Sequence, residues 1–132
     1  ELAISDNPRF EISDIEYQSE GKSYSLITVK KIIEQYNIKT RLNFIIGTDA
    51  FAKINTWYKP EELKELVHFI VFPRRGEDIN GFEDWDWELT KMEYIDISST
   101  EIRQKIKKGQ DVKKLVPEKT LQVIIENELY KN

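Results

Sequence analysis

Short apolar runs alternating with amphipathic stretches predict an α/β fold built on an open, mostly parallel sheet. Two observations carry this expectation. The order along the chain is helix, strand, helix, strand, helix, the pattern left by strands joined through crossover helices. The runs LNFIIG and HFIVF are also apolar at nearly every position, as strands of a covered parallel sheet are. In such sheets ligands sit beyond the carboxyl ends of the strands. The loops GTDAF, PRRGEDING and SSTEIR begin at such ends and are expected to converge on one cleft.

The elements follow in order. Residues 1 to 4 read as a helix end, stopped by the turn residues SDNP. In RFEISDIEYQ, Phe10, Ile12, Ile15 and Tyr17 alternate with a break at Ser13 and Asp14, which predicts an edge strand with a bulge or two short strands. A helix is expected from Leu26 to Tyr36, because Leu26, Val29, Ile32, Ile33 and Tyr36 fall on one 3.6-period face, with Ser23 or Ser25 as its cap. LNFIIG reads as a buried strand and residues 50 to 56 as a short helix. Pro60, followed by Glu61 and Glu62, opens the next helix, and HFIVFPR is the next buried strand. The stretch RGEDINGFEDWDWELTK, acidic around Trp85 and Trp87, reads as a solvated loop or short helix, its tryptophans serving local packing or subunit contact. MEYIDIS reads as the last strand and residues 100 to 108 as a helix. The final helix has Pro117 near its start and Leu121, Ile124, Ile125 and Leu129 along one face.

Composition bounds the function. The 132 residues suit one domain with a modest core, and no apolar run reaches the roughly 18 to 20 residues that span a bilayer. No membrane association and a cytoplasmic location are therefore expected. The chain has no cysteine, which removes thiolate chemistry, and His68 is its one histidine, expected to be structural. With 24 acidic against 20 basic side chains the net charge is -4, against broad nucleic-acid binding but compatible with a local anion site.

Several loop residues suit nucleotide chemistry. Ser98 and Glu101 fit a capping box, which gives a bland account of ISSTEIR. The sharper account is a helix N-terminus that offers backbone N–H groups to a phosphate, helped by the hydroxyls of Ser99 and Thr100 and the guanidinium of Arg103. Asp49, after Gly47 at a strand end, could accept ribose hydroxyls, hold Mg²⁺ through water or cap the next turn. Gly47 would let backbone approach a ligand. Of the adjacent Trp57 and Tyr58, one is expected to be free to stack on a flat ring. Arg74 stands at another strand end, where a solvated arginine beside the acidic loop is one reading.

These residues also carry a resemblance. ISSTEIR matches the ISSTxIR signature of the nucleotidyltransferase superfamily. FIIGTDAFAKINTWYKPEELKELVHFIVFPRRG and DISSTEIRQKIKKGQDVKKLVPE resemble the bacterial nicotinate-nucleotide adenylyltransferases, over essentially the whole chain. The resemblance implies a Rossmann-like nucleotidyltransferase fold and adenylyl transfer from ATP, with Mg²⁺, to nicotinate mononucleotide in NAD biosynthesis. It assigns Arg103, Ser98 and Thr100 to the phosphates and the adenylate side, with Ile97 and Ser99 in the same nucleotide-binding segment. It places Asp49 on the nucleotides, Trp57 on the pyridine ring, and the Tyr58 backbone N–H and Ser25 near the nicotinate carboxylate; Arg74 borders ATP. Ser25 stands where the family commonly has threonine.

The family's opening GGxFxPxHxGH motif is not found in this sequence, so residues 1–132 resemble a single incomplete domain, the C-terminal two thirds of the enzyme without its first strand and helix. Taken alone this stretch is expected to be inactive, and its uncovered sheet edge to be met by further residues or by self-association. Nicotinamide mononucleotide or phosphopantetheine as acceptor, and a noncatalytic nucleotide-binding domain, are the alternatives; TWYKP argues against phosphopantetheine.

Overall fold

A computed structural model describes residues 1–18, 21–74, 79–92 and 97–131. The chain divides into two compact units, residues 13–95 and residues 1–12 with 96–132, and each is described by itself.

The larger unit is a parallel α/β sheet. It contains α1 (Ser25–Gln35), β1 (Leu42–Gly47), α2 (Thr48–Phe51), a 3-10 turn (Ile54–Thr56), α3 (Pro60–Leu66), β2 (Val67–Phe72) and β3 (Trp87–Leu89). The strand order is β1-β2-β3, with β2 parallel to both neighbours. The register runs from Leu42 opposite Val67 to Gly47 opposite Phe72, so both strands end at the same level. GTD, which begins at the last residue of β1, and Arg74, two residues after β2, are thereby brought side by side.

Strand period decides which side chains are buried. Val67, Phe69 and Val71 on one face of β2 are fully buried, while His68, Ile70 and Phe72 are only partly covered. On β1, Ile46 is buried but Ile45 remains 67% exposed. The expectation of a buried β1 therefore holds for one face only. An apolar run does not by itself say which of its faces a helix will cover.

The core is aromatic. Phe51 of α2 packs on Phe69 at 5.4 Å between ring centres, on Phe82 at 4.9 Å and on Trp87 at 5.3 Å, and Phe69 packs on Trp85 at 5.7 Å. Each such ring contributes about 1.5–3 kcal/mol by leaving water. Trp85 of the acidic stretch is thus a core residue and the partly buried Trp87 packs against the core, which bears out local packing. The stretch also supplies β3, a strand the sequence reading misses because only three residues pair and acids flank them. Two of its acids are paired with neighbours: Asp84 with Lys64, and Asp86 with Arg41 at 2.8 Å.

No strand forms among residues 9–18, against expectation. Alternation alone lacks the partner strand that makes a ladder. The strand expected at MEYIDIS falls mostly on residues outside those described.

The smaller unit holds a 3-10 turn (Leu2–Ile4), α4 (Ser99–Lys107) and α5 (Glu118–Glu126). Pro117 is the N-cap of α5, and Ile124 is buried while Ile125 is 59% exposed. The 3-10 turn packs on α5, and Lys119 ties the two by donating to Ser5 Oγ at 2.9 Å and pairing with Asp6. Among the described residues no helix is long and apolar enough to cross a membrane.

Candidate active site

At the strand ends of the larger unit, Gly47 is the N-cap of α2 and is followed by the buried Thr48. The Thr48 hydroxyl accepts from the Arg74 backbone N–H at 2.8 Å and donates to the Arg74 carbonyl at 3.2 Å. That double bond to the backbone fixes where Arg74 starts. Its guanidinium then reaches Asp49 Oδ2 at 3.2 Å, with both side chains about half exposed. Thr48 is the residue sequence reasoning missed; its position inside GTD was the available signal.

The structure shows a reason for Gly47 within the protein itself. A Cβ there would lie 2.6 Å from Asp49 Oδ1 and 3.0 Å from Arg74 Cδ. The missing side chain makes room for the Asp49–Arg74 pair.

A cavity of about 280 Å³ opens where α1 begins and the turn before α3 ends. Ser25, Trp57 and Tyr58 all line it, together with Ser23, Tyr24, Leu26 and Thr56. Three of the expected site residues therefore meet at one concave surface. Trp57 is half-buried, packing against the core and set edge-on to Phe44 at 6.1 Å. Tyr58 is 44% exposed and stacks on Tyr24 with centres 4.6 Å apart, so Tyr58 is the freer of the two adjacent rings. Ser25 is the first residue of α1 and not its cap; Tyr24 holds the cap position without a side-chain bond.

The α4 N-terminus belongs to the smaller unit. Ser98 is its N-cap and accepts from the Glu101 N–H at 3.1 Å, so the turn is capped as the capping-box reading expects. The Glu101 carboxylate pairs with Lys105 at 2.8 Å. Ile97, Ser98, Ser99 and Thr100 are exposed, and Arg103 donates to Thr100 Oγ1 at 3.4 Å. A cavity of about 220 Å³ lies along this face, lined by Thr100, Arg103, Gln104, Lys107 and Tyr130. A capped turn keeps its hydroxyls and arginine available but has already used one N–H.

His68 is bonded through Nδ1 to Asp86 Oδ1 at 2.7 Å, where Asp86 also holds Arg41. His68, then Arg41, hold the Asp86 carboxyl below its ordinary range. Among the described residues no group of three or more His, Asp or Glu could hold a metal ion. Asp49, the carboxylate among the expected site residues, is engaged by Arg74, so the described residues build no cation cage around it.

A family described as cytidylyltransferase-like matches residues 1–105. A relative from Hydrogenobaculum sp. (strain Y04AAS1), named "Probable nicotinate-nucleotide adenylyltransferase", is 40% identical over 129 residues, covering 98% of this chain and 67% of its own. One of the same name from Clostridium tetani (strain Massachusetts / E88) is 35% identical over 139 residues, covering 98% and 69%. The chain belongs to the cytidylyltransferase-like family, and within it to the nicotinate-nucleotide adenylyltransferases. Its fold is similar to the Plasmodium falciparum nicotinic acid mononucleotide adenylyltransferase complexed with APC, with a TM-score of 0.65 at 22% identity over 85% of this chain. A second structure of that protein is complexed with NaAD. The chain spans about two thirds of the curated relatives' length, 67% and 69%, and 60% of that solved chain.

Proposed function

We propose that the protein transfers the adenylyl group of ATP to nicotinate mononucleotide, giving nicotinate adenine dinucleotide and pyrophosphate in NAD biosynthesis. A 5'-phosphate oxygen of the mononucleotide attacks the α-phosphorus, and the bond to the β-phosphate oxygen breaks. The attacking oxygen is already an anion, so catalysis is positioning and charge stabilisation. The observation that carries the reading is the cavity shared by Ser25, Trp57 and Tyr58, of a size for a pyridine ring and with hydroxyl and aromatic walls.

In this reading the ring enters that cavity against Trp57, with the Ser25 hydroxyl and the Tyr58 N–H on its carboxylate. Asp49, held by Arg74, accepts ribose hydroxyls, and Arg74 borders ATP. Thr100 and Arg103 take the β and γ phosphates, and Ser98, Ser99 and Ile97 form the segment that carries them. Mg²⁺ travels with the triphosphate, on phosphate oxygens and water. The cytoplasmic location and the absence of nucleic-acid and membrane partners rest on this reading, and self-association stays a proposal beside it.

The test is pyrophosphate release by the full-length gene product with ATP, Mg²⁺ and each of nicotinate mononucleotide, nicotinamide mononucleotide and phosphopantetheine. Turnover with the first in clear excess is expected. Faster turnover with the second reassigns the acceptor. Binding of ATP without turnover of any of the three makes the protein a noncatalytic nucleotide-binding relative.

A further inference from the structure

The seven residues that line the ring cavity are all uncharged, yet a positive charge stands beside one of them, Tyr58. The Lys59 ammonium lies 5.7 Å from the centre of the Tyr58 ring. We propose that Lys59 is a specificity-determining residue that favours an acidic pyridine ring over its amide, by setting a fixed cation beside the cavity that takes the ring. The inference rests on the adenylyl-transfer reading above.

Backbone and side chain both single Lys59 out. Its φ is 48° and ψ 60°, the left-handed region, and Pro60 follows it. That conformation is unfavourable for a residue with a Cβ, and the following proline disfavours it further, so glycine would relieve the turn. The lysine side chain is nonetheless held in place. Glu62 Oε1 lies 2.7 Å from the Lys59 ammonium, and Glu62 Oε2 lies 2.6 Å from Lys30 on α1, the helix whose first turn walls the cavity. Two ammonium groups against one carboxylate leave a net charge of +1. Hydrogen bonds from Lys30 and Lys59 hold the Glu62 carboxyl down at about 2, and the bond to Glu62 raises Lys59. Lys59 and Glu62 therefore keep their charges throughout the working pH range. A ring carboxylate is attracted by the cluster, whereas a carboxamide offers only a dipole. Lys59 and Glu62 are about half exposed, so the discrimination is modest and falls with salt.

The experiment compares kcat/KM for nicotinate mononucleotide and nicotinamide mononucleotide in the full-length gene product, unchanged and as Lys59→Gln, Lys59→Gly and Lys59→Arg. Lys59→Gln should lower the acid-to-amide ratio about fivefold, the change being carried by KM for the acid. Lys59→Gly, which relaxes the backbone, should lower it equally, separating charge from folding. Lys59→Arg should keep the ratio within about twofold, since it keeps the charge. Raising NaCl from about 0.05 to about 0.5 M should shrink the ratio in the unchanged protein and barely move it in Lys59→Gln. A ratio unmoved by both Lys59→Gln and Lys59→Gly, in protein that turns over the acid, overturns the role of Lys59 and leaves adenylyl transfer standing. No turnover of either mononucleotide by the unchanged protein overturns both.

Discussion

The two compact units hold their site residues by different means. In the larger one, Gly47, Asp49, Trp57 and Arg74 hang from a core in which Phe51, Leu63, Val67, Phe69 and Val71 are fully buried. Thr48 adds two hydrogen bonds to the Arg74 backbone. In the smaller one only Val112 and Ile124 are buried among the described residues, and the α4 N-terminus is set by one cap bond from Ser98. A site on a packed sheet is fixed in advance by its supports. A site on an exposed helix end depends on a few local bonds and on the charge it presents.

Four measurements break or sharpen that contrast. Phe69→Ala should cost about 3–5 kcal/mol by urea unfolding, because it empties the centre of the aromatic cluster. A loss below about 1 kcal/mol would remove the idea of a core-supported half. Arg103→Ala should reduce kcat/KM for ATP at least about tenfold with the melting temperature nearly unchanged, since an exposed helical arginine contributes little to stability. Unaltered ATP kinetics would take Arg103 out of the phosphate site. Ser98→Ala should cost about 1 kcal/mol through loss of the cap. Smallest is the acid response of Glu62, whose folded carboxyl sits at about 2 against an ordinary 4.5. Its depressed value means a stabilising contribution present above pH 4.5 and lost as pH falls toward 2. Glu62→Gln should flatten the acid limb of stability in that window, and an unchanged limb would show that the exposed pairs with Lys30 and Lys59 contribute nothing.

Much of this was legible because the signals are local. Pro60 before Glu61 and Glu62 marked the start of α3, and Ser98 before Glu101 marked the cap of α4. Helical spacing set α1 to within a residue of its ends. Residues 9–18 failed for the converse reason: a strand needs a partner, which alternation cannot supply. Trp87–Leu89 failed because its pairing with Phe69, Ile70 and Val71 is long-range.

The same division runs through the site. The amino-acid sequence by itself determined the residue types, the order of strand ends and the family likeness, since motifs and periods are written in neighbouring positions. Only the tertiary structure decided that Gly47 clears space for Asp49 and Arg74, that Thr48 anchors Arg74, that Tyr58 and not Trp57 is the more exposed ring, and that Lys59 stands over it. The Arg74 contacts join the ends of two strands, and the exposure of Tyr58 depends on what packs around it; such distances are set by packing and register, which no sequence motif contains.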